Sequence, residues 1–163
     1  MCGIAVYDLR LKIIRPTLEY LNLWSVSAEN LLLGTAAVES MMGRYLTQLN
    51  GPALGMYQTE PETHQDILQN YLFSRKELND KVLGLASHKN IYTNRNEDLI
   101  YNMAYSTAIA RIFYLRIPEA LPAADDIEGL ANYWKQHYNT EKGKGTIEQF
   151  VRNYKELVLG IKE

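Results

Sequence analysis

The sequence predicts one all-α domain of about seven helices that spans residues 1–163. Its apolar residues recur at intervals of three and four over most of the chain, which is the spacing of one face of a helix. Capping residues and prolines stand where these stretches begin, and runs that alternate apolar with polar residues are few. With 163 residues, 47% of them hydrophobic, the chain has the length and composition of a single domain with its own core.

Two helices are predicted in the first part of the chain. Pro16 suits the first turn of a short helix over 16–23, because a first turn has no use for the N–H that proline lacks. Ser25 or Ser27 suits the N-cap of a second, strongly apolar helix. Gly43 stands where the C-terminal stop of that second helix is expected.

Residues 43–60 interrupt the helical pattern because they are rich in turn formers. Asn50-Gly51-Pro52 is a strong helix breaker, and we expect some extended structure over 54–58. A third helix, which begins at a proline, is predicted over about 61–73. A fourth helix is predicted over about 76–87.

The longest and most buried helix is predicted over 96–117. Leucine, methionine and alanine give it a wide apolar face, and its small residues allow neighbouring helices to pack closely. Pro118 follows directly, where a helix is expected to have ended.

Two further helices complete the prediction. Asp125 or Asp126 suits the N-cap of a helix that runs to about His137. The motif Thr146-x-x-Gln149 matches a capping box, so we expect a last helix from there to about residue 159. Because strand signals are few, these helices predict an all-α architecture.

Charge and composition narrow the partners that we expect. The net charge of −2 and the absence of a basic stripe argue against a nucleic-acid partner. No run approaches the roughly 18–20 apolar residues that span a bilayer, so we expect no stable membrane insertion.

Residues 1–16 lack the pattern of a secretory signal, so we expect synthesis in the cytoplasm without a signal peptide. The single cysteine, Cys2, has no partner for an internal disulfide, and we interpret it as a passive residue.

Glu39 is the residue whose placement points most directly to chemistry. It stands near the C-terminal end of an apolar helix, where the negative end of the helix dipole opposes ionisation of its side chain. Burial against the neighbouring alanines and valine would raise its pKa further. A carboxylic acid that stays protonated near neutral pH can donate the proton that glycoside cleavage requires.

The spacing around Glu39 resembles a known signature. Glu39-Ser40 is followed, 19 residues after Glu39, by Gln58 within the segment Gly55-Met56-Tyr57-Gln58-Thr59-Glu60-Pro61-Glu62-Thr63. This arrangement resembles the lytic transglycosylases and goose-type lysozymes. In that family a Glu-Ser pair ends a helix and a Gly-x-x-Gln-x-x-Pro-x-Thr segment lines the cleft. The resemblance implies a lysozyme-like domain with a glycan-binding cleft that cleaves the glycan strand of peptidoglycan.

The same resemblance implies a role for each matching residue. Glu39 would be the general acid and later the general base, and Ser40 would orient the acid or the sugar. Met56 and Tyr57 would line the cleft, and Gln58 would contact an N-acetyl sugar of the substrate.

The match departs from the family pattern at two places. The family often has a hydrophobic residue just before the motif proline, and this chain has Glu60 there. The family's late Ala-Tyr-Asn-Ala-Gly motif is represented only by His137-Tyr138-Asn139-Thr140, from which we carry over Tyr138 and Asn139 as substrate-binding residues.

The number of carboxylates bears on the mechanism. An ordinary glycosidase needs two carboxyl groups across the bond, and no second one stands out here. We interpret Glu60, Glu62 and Asp66 as solvated residues at the start of a helix. The resemblance implies that the substrate's own acetamido group attacks instead. Glu39 would then deprotonate either the sugar's 6-hydroxyl, which gives an anhydro product, or water, which gives hydrolysis; the residues favour neither.

Other candidate sites are weaker. His64, His88 and His137 have no metal-ligand spacing, so no metal and no cofactor are predicted. The segment 143–146, Gly-Lys-Gly-Thr, lacks the full phosphate-loop pattern, and we interpret it as a flexible turn. Trp24 and Trp134 are expected to pack in the core, although either would suit the border of a sugar cleft.

The expected biological setting follows from the absence of an export signal, from the small size and from the resemblance. The protein would be a peptidoglycan-cleaving enzyme encoded by a bacteriophage, acting on the cell wall after release as an endolysin or as a virion component among other virion proteins. The alternatives are a non-catalytic virion or assembly protein that retains the scaffold, because fold alone does not guarantee activity, and a sugar-binding module.

Overall fold

The structure is a computed structural model that describes residues 3–87, 96–140 and 143–161. Cys2 and His88 lie outside the described residues. Those ranges form eight helices without a β-sheet, which confirms the all-α prediction. The helices are α1 (6–20), α2 (Val26–Ser40), α3 (61–71), α4 (Lys76–Leu85), α5 (Asn96–Tyr101), α6 (Met103–Leu115), α7 (127–139) and α8 (147–158).

Four of these helices contain a π-helical stretch. In α1 it connects two α-helical segments, whereas in the other three it forms the last turn or turns of the helix. The π-helical stretches are Leu9–Ile14 in α1, Ile67–Tyr71 in α3, Lys135–Asn139 in α7 and Tyr154–Val158 in α8.

Helix α1 begins at Val6, so the prediction that the first helix starts at Pro16 is wrong. Pro16 instead lies inside a continuous helix, directly after the π-helical stretch. Leu9, Ile14 and Leu18 are fully buried, and this apolar spacing is what holds α1 against the core. The free energy gained by packing these side chains therefore exceeds the cost of the backbone hydrogen bond that is missing at Pro16.

Helix α2 is the central helix of the domain. The hydroxyl of Ser25 accepts the N–H of Ala28 at 3.1 Å, which confirms the predicted N-cap. Leucines 31 to 33 are all fully buried, so the middle of α2 is surrounded by the rest of the domain on every side. A Cβ at Gly34 would lie 2.1 Å from the ring of Phe150, so this glycine lets α8 approach α2 closely.

Helix α2 ends at Ser40, earlier than the stop predicted at Gly43. Met41, Met42 and Gly43 all have positive φ, at 51°, 61° and 80°. The N–H of Met42 returns to the carbonyl of Ala36 at 2.9 Å and closes the end of the helix. The reversal brings the chain sharply away from the helix axis and leaves the last turn of α2 beside the following loop.

The loop after α2 is held by a few specific contacts. Antiparallel bridges join Leu54 to Thr47 and to Thr59, in agreement with the extended structure expected over 54–58. Gly55 has a φ of +74°, and a Cβ there would lie 1.7 Å from the carbonyl oxygen of Leu99, so only glycine fits. The loop is thereby packed against the end of α5.

The prediction of one long helix over 96–117 is wrong, because Asn102 divides it into α5 and α6. The side-chain oxygen of Asn102 accepts the N–H of Tyr105 at 3.0 Å and caps α6. Its amide nitrogen donates to the carbonyl of Leu85 at 2.8 Å, a contact with α4 that the helical periodicity does not reveal.

The remaining helices lie close to their predicted positions. Both hydrogen bonds of the capping box between Thr146 and Gln149 are present at the start of α8. Asp126 caps α7 through a bond of 2.8 Å from the N–H of Gly129. No helix in the described ranges has both the length and the apolar composition required to cross a bilayer.

Candidate active site

A large groove, here called the Glu39 groove, runs along one side of the domain. Its walls are the last turn of α2, the loop before α3, the C-terminal end of α7, the turn after it and the exposed side of α8. The cavity volume is about 1000 Å³, at the upper end of the range for small-ligand sites. Glu39, Gln58, Tyr138 and Asn139, four of the residues predicted from the sequence, line this groove.

Glu39 is the penultimate residue of α2, and its half-buried side chain reaches the groove. Burial disfavours the charged form and raises the pKa of Glu39 from 4.5 to about 7. The position at the end of the helix acts in the same direction, because the C-terminal end of the dipole is negative. A substantial fraction of the carboxyl group is therefore protonated at neutral pH.

The side chain of Trp134 contacts Glu39 directly. The indole N–H of Trp134 donates to Oε1 of Glu39 at 2.9 Å, and this bond partly offsets the effect of burial on the pKa. The sequence predicts that Trp134 packs in the core or borders a sugar cleft; the side chain is only 1% exposed, and it also contributes to the wall of the groove. A general rule could have predicted a polar contact for Trp134, because the indole N–H of a buried tryptophan usually has a hydrogen-bond acceptor.

Tyr138 forms the wall of the groove next to Glu39. Its hydroxyl donates to the backbone carbonyl of Tyr57 at 2.7 Å and lies 3.3 Å from the hydroxyl of Thr59. Burial, and then the nearby charge of Glu39, raise the pKa of Tyr138 well above its ordinary value, so the phenol stays neutral. Its ring stacks on Tyr114 with centroids 5.2 Å apart, which fixes its orientation.

Gln58 is held in the groove by an unusual backbone conformation. Its φ is 48°, a left-handed value that a glutamine rarely adopts. Its amide nitrogen donates to the carbonyl of Gly55 at 2.8 Å. Its amide oxygen has no hydrogen-bond partner among the described residues, so it is available to an N–H of a bound ligand.

Asn139 also lies where the sequence suggested, on the groove. Its side-chain oxygen accepts a hydrogen bond of 2.7 Å from Nζ of Lys135. The same ammonium donates to the carbonyls of Gly143 and Gly145, at 3.0 and 2.8 Å. These three bonds connect Gly143 and Gly145 to the C-terminal end of α7.

Ser40, Met56 and Tyr57 do not line the groove, and this part of the prediction is corrected. They are 1%, 1% and 0% exposed, respectively. The hydroxyl of Ser40 donates to the carbonyl of Met56 at 2.6 Å and accepts the N–H of Gly43 at 2.8 Å. The phenol of Tyr57 pairs with Thr107 at 3.0 Å. The three side chains are buried in the core, and the hydroxyls of Ser40 and Tyr57 have hydrogen-bond partners there. These residues therefore support the loop instead of facing a ligand.

Charged residues that the sequence did not place in the site also line the groove. Glu60 is exposed there, and its side chain makes no capping bond to α3. Lys144 and Arg152 stand on the wall formed by the turn after α7 and by α8. Within the described part of the chain, neither cation forms an ion pair.

Histidine, cysteine and carboxylate side chains are not clustered as a metal site in the described ranges. His64, one of the candidates, is buried, with 1% of its surface exposed. Its ring nitrogens lie 2.7 Å from the hydroxyl of Tyr105 and 2.8 Å from the side-chain oxygen of Asn96. These contacts make His64 part of the packing between α3, α5 and α6.

Comparison with protein-family models, with curated proteins and with solved structures finds no match for this chain.

Proposed function

We propose that this protein cleaves the β-1,4 glycosidic bond between N-acetylmuramic acid and N-acetylglucosamine in peptidoglycan, with Glu39 as the general acid and base. The observation that carries the proposal is that Glu39 is a carboxyl group with a pKa of about 7 at the wall of a large groove. A group with that pKa is an efficient proton donor and proton acceptor at neutral pH.

The first step would be protonation of the leaving group. As the bond between the anomeric carbon and the bridging oxygen breaks, its electron pair goes to that oxygen, which takes the proton of Glu39. The acetamido oxygen of the same sugar bonds to the anomeric carbon and replaces the second carboxylate. The free amide oxygen of Gln58 suits an N-acetyl N–H of the bound strand.

The second step would use Glu39 as a base. The ionised carboxylate takes a proton from the sugar's 6-hydroxyl or from a water molecule, and the resulting nucleophile attacks the anomeric carbon and releases the acetamido oxygen. Attack by the 6-hydroxyl gives an anhydro end, and attack by water gives a reducing end. Either product restores the protonated acid.

The groove offers surfaces that suit a glycan. Tyr138 presents a ring fixed by stacking, and Phe113 also lines the groove, its ring centroid 4.6 Å from that of Tyr138. Apolar ring faces of this kind pack against the C–H faces of sugars. Polar side chains at the rim, such as Asn139, supply hydrogen-bonding partners.

The test is incubation of the purified protein with peptidoglycan, followed by mass spectrometry of the released muropeptides. Glu39→Gln keeps the shape of the side chain and removes the titratable proton, so we expect release to fall by about a thousandfold. Glu62→Gln is the matched control, because Glu62 is exposed and lies outside the groove. Unchanged release by Glu39→Gln would refute the role of Glu39. Absence of release by the natural chain would favour the non-catalytic virion protein or the sugar-binding module.

A further inference from the structure

We propose that Trp134 is the positioning residue of the site: its indole N–H holds Oε1 of Glu39 so that Oε2 alone faces the groove and exchanges protons. The catalytic part of this inference rests on the proposed function, in which Glu39 is the general acid and base. The geometry behind it is the 2.9 Å bond between the indole nitrogen and Oε1.

The two oxygens of Glu39 have different surroundings. Oε1 accepts the bond from Trp134, whereas Oε2 accepts none from the described residues. Within the described part of the chain Oε2 is not completely shielded from solvent, and Glu39 lines the groove. A carboxyl group held in this way presents one defined oxygen to a ligand, which is what proton transfer to a bridging oxygen requires.

Packing holds the indole ring of Trp134 in place. The ring centroid lies 5.5 Å from that of Phe150, and a Cβ on Gly145 would lie 2.6 Å from the ring. Gly145 is itself fixed, because Lys135 donates to its carbonyl. The donor therefore cannot turn away from Glu39 without movement of α8 or of the turn before it.

The hydrogen bond also affects the charge state of Glu39. A donor to a carboxylate stabilises its ionised form, so loss of the indole N–H should raise the pKa of Glu39 above about 7. Tyr114 of α6 and Tyr138 of α7 interact electrostatically with Glu39, and burial raises the pKa of both phenols so that they stay neutral. The other charged side chains that line the groove are Glu60, Lys144 and Arg152.

The chain contains a matched control for this contact. Trp24, the only other tryptophan, donates its indole N–H to Oε2 of Glu29 at the same distance of 2.9 Å. Glu29 is also a residue of α2, but neither it nor Trp24 lines the groove. Trp24→Phe therefore removes the same type of bond and the same ring atoms at a place where the proposed chemistry does not occur.

The experiment compares Trp134→Phe with Trp24→Phe. The pKa of Glu39 is measured by NMR titration of the side-chain carboxyl carbon in protein labelled on glutamate, with Glu39→Gln used to assign the signal. In Trp134→Phe we expect the midpoint to rise by about one pH unit or more, and in Trp24→Phe we expect it to stay near 7. For peptidoglycan cleavage we expect a kcat about tenfold lower in Trp134→Phe, with KM within about twofold. The alkaline limb of its pH–rate profile should shift to higher pH, because the rate falls where Glu39, the general acid, loses its proton.

A titration midpoint that does not move in folded Trp134→Phe, or that moves equally in Trp24→Phe, would overturn the inference. If Trp134→Phe does not fold, benzothienylalanine at position 134 in the Trp24→Phe background replaces only the indole N–H by sulfur and preserves the ring shape. The same shift is expected there. Failure of the natural chain to release muropeptides would refute the proposed function but would leave the titration result intact, so the two failures are distinguishable.

Discussion

Tyr138 donates a hydrogen bond of 2.7 Å to the backbone carbonyl of Tyr57, and this bond joins α7 to the loop that carries Gln58. The two walls of the Glu39 groove are thereby connected beside the acid. Because the acceptor is a backbone carbonyl, the geometry of this bond depends on the position of the loop that contains Tyr57.

Tyr138→Phe should weaken both the fold and the groove. The change leaves the carbonyl of Tyr57 without this donor, and an unsatisfied buried acceptor costs about 2 kcal/mol. We expect the free energy of unfolding in urea to fall by about that amount, and KM for peptidoglycan to rise as the loop loses its anchor. Tyr7→Phe is the control, because Tyr7 is 63% exposed and should show neither effect. Equal stability of Tyr138→Phe and the natural chain would contradict the anchoring role.

The raised pKa of Glu39 predicts a pH-dependent stability. The folded carboxyl titrates at about 7 and the unfolded one at 4.5, so between these values the folded state binds more protons. The stabilisation is fully present below about pH 4.5 and is lost as the pH rises through 7. The difference corresponds to about 3 kcal/mol.

Urea unfolding of the natural chain and of Glu39→Gln between pH 4 and pH 8 tests this dependence. Relative to the variant, the natural chain should lose about 3 kcal/mol of unfolding free energy across the interval, because the glutamine does not titrate. Parallel stability curves would show that Glu39 titrates normally in the folded protein.

Glu60→Gln tests whether the site uses one carboxylate or two. Glu60 lines the groove but is exposed, and the proposed mechanism assigns the second role to the acetamido group of the substrate. We expect release of muropeptides to fall by less than about tenfold, with the same type of product end. A loss of a hundredfold or more, with normal folding by circular dichroism, would indicate a two-carboxylate mechanism.

Lys144 and Arg152 should contribute to substrate affinity. They line the groove without an ion-pair partner among the described residues, and the peptide stems of peptidoglycan carry carboxylates. For the double variant Lys144→Gln, Arg152→Gln we expect KM to rise about fivefold at low ionic strength, with kcat little changed. The effect should shrink in about 0.5 M salt, where exposed charges are screened. Lys12→Gln with Arg44→Gln removes the same charge outside the groove, and an equal rise there would contradict a local role.

Most helices and the acid itself could be predicted from local sequence. The cap at Ser25, the capping box at Thr146 and the periodic apolar residues depend on interactions within a few residues of one another. The position of Glu39 at the end of an apolar helix is local in the same sense. Only the tertiary structure shows that the groove lies beside it.

Long-range packing explains the predictions that were wrong. Leu9, Ile14 and Leu18 extend α1 across Pro16 because they are buried by other helices, and Asn102 ends α5 partly through its bond to Leu85. These partners are distant in sequence, so propensity alone did not reveal them.

The sequence by itself determined an all-α domain and a glutamate at the end of an apolar helix, because helix periodicity and capping are short-range properties of the chain. The tertiary structure decided that Trp134 holds that glutamate from 95 residues away, and that Ser40, Met56 and Tyr57 support the loop from within. The physical reason is that burial and hydrogen-bond partners depend on which helices pack together, and no spacing within one segment encodes that choice.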